Sequence, residues 1–245
     1  MAYTTIDDPT QYFEPLIWTG DASSPRSLTG LEFQPDMVWS KRRDDAAGHN
    51  VLDSVRGAGV DSELCPSSTG IAGSNQAETY GYLSAFTSDG FTVTEGSSDN
   101  AYWNNNTATY VAWCWKESAT AGFDIVSYTG NGTDDTDISH NLSAVPKMII
   151  VKNRDAADAW QVYHAGNTSS PETDYMVLND SAATADAADR WSDEAPTSSV
   201  FTLGDGAEVN TNTENYIAYC FAEKQGFSKF GSYTGNGNAD GPFIY

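Results

Sequence analysis

Residues 104–117 read NNNTATYVAWCWKE, and residues 210–223 read NTNTENYIAYCFAE. Thr107 falls on Thr213, Tyr110 on Tyr216, Cys114 on Cys220 and Glu117 on Glu223, all at an offset of 106 residues. Inside this stretch Val111, Trp113 and Trp115 alternate with Ala112 and Cys114. The second copy keeps the split, with Ile217, Tyr219 and Phe221 against Ala218, Cys220 and Ala222. A period of two sends alternate side chains to opposite faces of a strand. Large apolar residues on one face and small ones on the other describe a strand covered on both sides, its small face admitting a close second layer.

Other segments recur around this strand in the same order. SYTGNG at 127–132 returns unchanged at 232–237, and a diverged IWTGD stands at 17–21. PDMVWSKRRD at 35–44 aligns with PKMIIVKNRD at 146–155, pairing Lys41 with Lys152 and Arg43 with Arg154. GFTV at 90–93 resembles VFTL at 200–203. Ordered anchors at a nearly constant offset point to an internal duplication. The expected organisation is an N-terminal arm over 1–14, a β-sandwich repeat over 15–118, a second over 119–225, and the opening of a third over 226–245. Segment 226–245 is either the start of a longer natural chain or an extra strand used elsewhere. MVWS and MIIV are expected as short buried strands, each entered just after a proline, Pro35 or Pro146, where no ladder bond is lost. Gly130 and Gly132 read as turn or bulge positions needing positive φ. AATADAADR at 182–190 reads as a loop or a single helical turn. Short strands split by Asp, Asn, Gly and Ser turns give an all-β fold class: two tandem antiparallel sandwiches of the jelly-roll or concanavalin-like kind.

Composition agrees. In 245 residues, 34 Asp and Glu face 12 Lys and Arg, for a net charge of −22. No basic footprint exists for a phosphate backbone, so no nucleic-acid partner is expected. An anionic membrane surface is disfavoured for the same reason. The longest purely aliphatic stretch is MIIV at 148–151, far short of a membrane span, so no membrane insertion is expected. The N-terminus lacks a basic segment followed by an apolar one, so no classical signal peptide is expected. Three cysteines, Cys65, Cys114 and Cys220, cannot close a disulfide framework.

The chemistry-bearing residues are few. His49, His140 and His164 show no metal-ligand spacing, and no G-x-S-x-G elbow is present, so no catalytic residue, cofactor or metal site is assigned. Asp134, Asp135 and Asp137 offer hard oxygens of the kind Ca2+ takes, without the D-x-D-x-D-G pattern; a solvated loop is the simpler reading. The register pairs Lys41/Arg43 and Lys152/Arg154 stand out in so acidic a chain. They read as ion pairs to Asp44 or Asp155, or as contacts to a partner subunit or glycan. Trp103 and Trp160 are candidate sugar-stacking residues, against the more frequent fate of burial. Phe230, Tyr233, Phe243 and Tyr245 mark 226–245 as a candidate assembly segment that adds a strand to a neighbouring subunit.

MAYTTIDDPTQYF at the start, SYTGNG, HNLSAVPKMIIVKNR with a following WQVYH, SDGFTV, and NNNTATYVAWCWKE together resemble the tandem β-sandwich repeats of tail-fibre and other virion structural proteins of marine bacteriophages. The resemblance covers nearly the whole chain. Copy one departs from it in its IWTGD box and in lacking the histidine that copy two has at His140. The resemblance implies a non-enzymatic structural or adhesive role, in a virion assembled in the host cytoplasm and then released. Expected partners are further copies of the chain, other virion proteins and a host-surface glycan. A carbohydrate-binding adhesin module and a glycan depolymerase are the competing functions.

Overall fold

The computed structural model describes residues 4–243, and these form an all-β molecule. A 3-10 turn at Pro9–Gln11 leads into β1 (Phe13–Thr19), β2 (Arg26–Thr29), β3 (Met37–Arg42), β4 (His49–Asp53), β5 (Tyr82–Thr87), β6 (Gly90–Thr94) and β7 (Thr109–Trp115). The second half runs through β8 (Phe123–Thr129), β9 (Thr136–Ser139), β10 (Met148–Asn153), β11 (Gln161–His164), β12 (Asp174–Val177), β13 (Ala185–Asp186), β14 (Val200–Leu203) and β15 (Asn215–Phe221). Helix is confined to single turns: α1 (Ala77–Tyr80), α2 (Ala188–Trp191) and α3 (Ala207–Asn210). The turn at α2 falls at the end of the stretch read from sequence as a loop or a turn.

All strand pairs are antiparallel. The first half has a sheet of order β1-β7-β3-β4 facing a smaller sheet β2-β6-β5. The second half has β8-β15-β10-β11, extended by β12 and β13, facing the ribbon β9-β14. The strand found first in the sequence, β7 or β15, is thus an interior strand of each large sheet. β1 begins at Phe13, whose backbone pairs with Trp115, so the expected arm over 1–14 already contributes the first two residues of the sheet.

The alternation of side-chain size decides how the layers stack. The small faces look into the core of their own half. Ala112 and Cys114 meet Leu28, Phe91 and Val93, while Ala218 and Cys220 meet Phe201 and Leu203. The large faces meet each other. Met37 and Val51 of the first half pack with Ile125, Ile150, Val162, Ile217 and Tyr219 of the second in a third buried cluster. The molecule is therefore four layers deep with three apolar interlayers, and the halves share the middle one.

Local devices recur at matched positions. Trp18 stacks on Tyr110 at 5.1 Å between ring centroids, and Tyr128 stacks on Tyr216 at 5.1 Å. The Tyr110 hydroxyl donates to the Ala101 carbonyl and accepts from the Asn105 amide; that of Tyr216 donates to Ala207 and accepts from Thr211. Thr107 and Thr213 both adopt positive φ, at 65° and 71°. Gly132 has the positive φ expected of it, 66°. Gly130 is needed for closeness instead: a Cβ there would lie 2.2 Å from the Thr211 carbonyl oxygen, and at the matched Gly20 one would lie 1.9 Å from that of Asn105.

Candidate functional site at the junction of the two halves

Packing one large sheet on the other leaves an apolar cavity of about 270 Å³ at the junction. Trp39 and Trp115 line it from the first half, and Met148 and Phe221 from the second. Phe227 and Phe230, just beyond β15, complete its wall. Phe227 meets Tyr12 edge-on at 6.4 Å, and Phe230 lies 6.3 Å from Phe221 and 6.2 Å from His164. The site is a greasy slot closed by the chain's own C-terminal segment.

Polar groups buried beside the middle interlayer cross between the halves. The Asp53–Arg56 pair has no exposed side-chain surface and a separation of 2.6 Å. Tyr219 of the second half donates to Asp53 at 2.7 Å and accepts from Arg56 at 3.2 Å. Arg56 also donates to the carbonyls of Ser62 and Val51. A buried ion pair is tolerable when its remaining donors and acceptors are filled in this way.

Two carboxyls sit less comfortably. Glu63 is fully buried and neither of its oxygens accepts a hydrogen bond. Burial pushes its pKa up to about 7, the nearby Asn75 amide and Arg56 guanidinium offsetting only part of the effect. Glu117 is also pushed up to about 7, first by burial and then by its hydrogen bond to Asp124. Asp124 is itself held by the Asn141 amide at 2.7 Å. Neither Glu63 nor the Glu117–Asp124 pair lines the cavity. The arrangement can hold protons near neutrality but presents them to no ligand there.

The candidate residues read from sequence scatter. Trp103 and Trp160 have 0% and 1% exposure and show no face to a sugar. Trp103 belongs to the first core, and Trp160 to the middle one, where its indole nitrogen donates to the carbonyls of Cys65 and Ser68. The register lysines are turn-closing residues. Lys41 donates to the carbonyls of Arg42 and Asp45, and Lys152 to those of Asn153 and Ala156, one and four residues on in each case. Lys152 is completely buried, which lowers its pKa to about 8 and removes it from any external contact. The ion pair to Asp44 is made by Arg42, the last residue of β3, at 2.9 Å rather than by Lys41 or Arg43. Arg43 is exposed and Arg154 half-buried. Asp155 accepts from the backbone and side chain of Asn215 rather than from either basic residue.

Other sequence candidates are similarly committed. His140 is buried between the Thr197 carbonyl and the Leu142 amide. Asp134 and Asp135 share the Ser192 hydroxyl, at 2.7 and 2.6 Å, and Asp137 takes that of Thr202. Among the described residues no three His, Cys, Asp or Glu side chains converge as a metal ion requires. In the tail, Phe230 packs on its own chain, whereas Tyr233 and Phe243 are 68% and 84% exposed. Tyr245 lies outside the described residues. Residues 229–243 form no strand, although Lys224 and Ser228 still make an antiparallel bridge, as Ser118 and Phe123 do before β8.

Sequence reasoning missed Asp53, Arg56, Glu63 and the cavity. The Asp53–Arg56 spacing has no counterpart in the second half, where His164 and Asn167 stand at the aligned places, so the recurring residues do not point to it. A family model described as a domain of unknown function (DUF7483) matches residues 8–245, across both halves and the tail. No curated protein and no solved structure matches the chain.

Proposed function

The chain belongs to the DUF7483 family, whose description carries no activity, and we propose its function from the geometry: a non-enzymatic structural β-protein that associates with further copies through its C-terminal segment. The single observation behind this reading is the third SYTGNG motif. In the first two occurrences of the motif position, Gly20 and Gly130 press against a facing carbonyl, and Trp18 and Tyr128 stack on Tyr110 and Tyr216. In the third, Gly235 has nothing within 4 Å of a Cβ position and Tyr233 is 68% exposed. Residues 231–241 are exposed throughout. The motif carries the fittings for a partner segment that the described residues do not supply to it.

Internal duplication accounts for the repeated strand order, and a third repeat opening at 226 accounts for the tail. In this reading the tail adds to an open strand edge in a neighbouring copy, of which β1 and β8 each present one. The resemblance to virion repeats supports a role in a phage fibre or particle, with other virion proteins as further partners. The test is the solution mass of the full chain against Tyr233→Ala and Gly235→Val. Self-association in the parent and its loss in both variants, with unchanged thermal stability of the fold, is expected. A monomeric parent at high micromolar concentration, or variants that assemble like the parent, would overturn the reading.

A further inference from the structure

A second concavity, open to solvent and lined by both apolar and polar side chains, lies beside the junction cavity and shares Trp39 with it. It is a shallow groove of about 600 Å³, within the roughly 300–1,000 Å³ range of small-molecule sites. Trp39 and His49 form one wall, from β3 and β4 of the first half. Leu178, Asn179, Asp180 and Ser181, the turn after β12, form the other. The groove therefore exists only because the two halves pack together.

Its polar groups are fixed yet unspent. The Trp39 indole nitrogen donates to His49 Nδ1 at 2.9 Å. An indole can only donate. His49 Nδ1 must then accept, so the imidazole is neutral and its proton sits on Nε2, a donor with no partner among the described residues. Asn179 is anchored by its oxygen, which accepts from the Trp160 amide at 2.8 Å, leaving its NH2 unpartnered. Asp180 uses one oxygen on the Ala182 amide at 3.1 Å and keeps the other. No Lys or Arg lines the groove, and Lys41, whose charge acts on His49, is committed to the carbonyls of Arg42 and Asp45.

We infer that this groove binds a neutral oligosaccharide, with a sugar ring on the edge of the half-buried Trp39 indole that lines it and its hydroxyls on His49, Asn179 and Asp180. A pyranose has an apolar CH face and a rim of hydroxyls, which matches an aromatic wall beside fixed donors and one carboxylate. An acidic sugar would meet the Asp180 charge with no cation to answer it. This inference does not rest on assembly through the tail, because every group it uses lies within residues 39–182.

The test is isothermal titration of the full chain with cellotetraose, laminaritetraose, maltotetraose and mannotetraose, and with tetragalacturonate as the anionic comparison. The Trp39 indole NH signal is followed by NMR in parallel. At least one neutral sugar is expected to bind and to shift that signal. Asn179→Asp, which keeps the oxygen that holds the Trp160 amide and removes the NH2, and Asp180→Ala, at an exposed position, are each expected to weaken binding by about tenfold. The inference is overturned if no neutral sugar in the set binds at millimolar concentration, if the anionic sugar binds best, or if binding survives the double variant unchanged.

Discussion

The hydroxyl of Tyr219, on the interior strand β15 of the second half, donates to the carboxylate of Asp53, at the end of β4 in the first half, at 2.7 Å with both side chains buried. This contact ties a residue that the repeat pattern explains to one that it does not. Tyr219 lies on the large face of β15, whereas at the place in the second half that aligns with Asp53 stands His164. Replacing Tyr219 with Phe keeps the ring and removes the bond, with an expected cost of about 1–3 kcal/mol. Replacing Arg56 with Ala strands a buried carboxylate and is expected to cost about 3–5 kcal/mol. Urea unfolding of the two variants checks the order; equal effects would mean the charge pair is not felt as buried.

The shared interlayer predicts that the halves unfold together. Ile217 is fully buried in the middle cluster, and Ile217→Ala is expected to destabilise by about 2–5 kcal/mol. Both halves should lose structure in the same transition. Differential scanning calorimetry that resolves two transitions in the parent would contradict this.

Stability is expected to fall as pH rises. Glu63 has an ordinary pKa of 4.5 when unfolded and about 7 when folded, so between these values the folded chain holds a proton that the unfolded chain has released. Its contribution is intact below about pH 4.5, is lost progressively up to about pH 7, and is flat above. The full loss is of the order of 3 kcal/mol. Glu63→Gln should reduce the slope of this segment of a stability–pH profile, Glu117 keeping its own share, and make the chain more stable than the parent at pH 8. A parallel profile for the variant would show that Glu63 is not the titrating group.

Two glycines at matched places in the repeated motif should respond oppositely. Gly130→Ala puts a methyl 2.2 Å from the Thr211 carbonyl and should lower the melting temperature by several degrees. Gly235→Ala meets nothing and should leave it unchanged. Thermal melts at a concentration low enough to exclude self-association separate the two.

Much of the fold was legible in residues alone. The alternation in 110–115 and 216–221 placed two strands correctly and gave each a large and a small face. MVWS, MIIV, GFTV and VFTL proved to be strands because short apolar runs between turn residues have few other ways to bury themselves. β12 and β13 escaped notice because their side chains are only half-buried or exposed and carry no strong alternation. The site was less legible. Trp103 and Trp160, sugar-stacking candidates by residue type with burial the commoner fate, are buried in the cores, whereas Trp39, in a strand expected to be buried, is half-buried and lines the groove.

The sequence by itself determined the all-β class, the order of the principal strands and the split between small and large faces. These follow from local periodicity and from which side chains avoid water. Only the tertiary structure decided what the large faces meet. It set the two sheets face to face, buried Asp53 and Arg56 beneath Tyr219, and brought Trp39 and His49 within one groove of Asn179 and Asp180. Those pairings span well over a hundred residues of chain, and no local pattern encodes them. They follow from how two apolar sheets exclude the most water together.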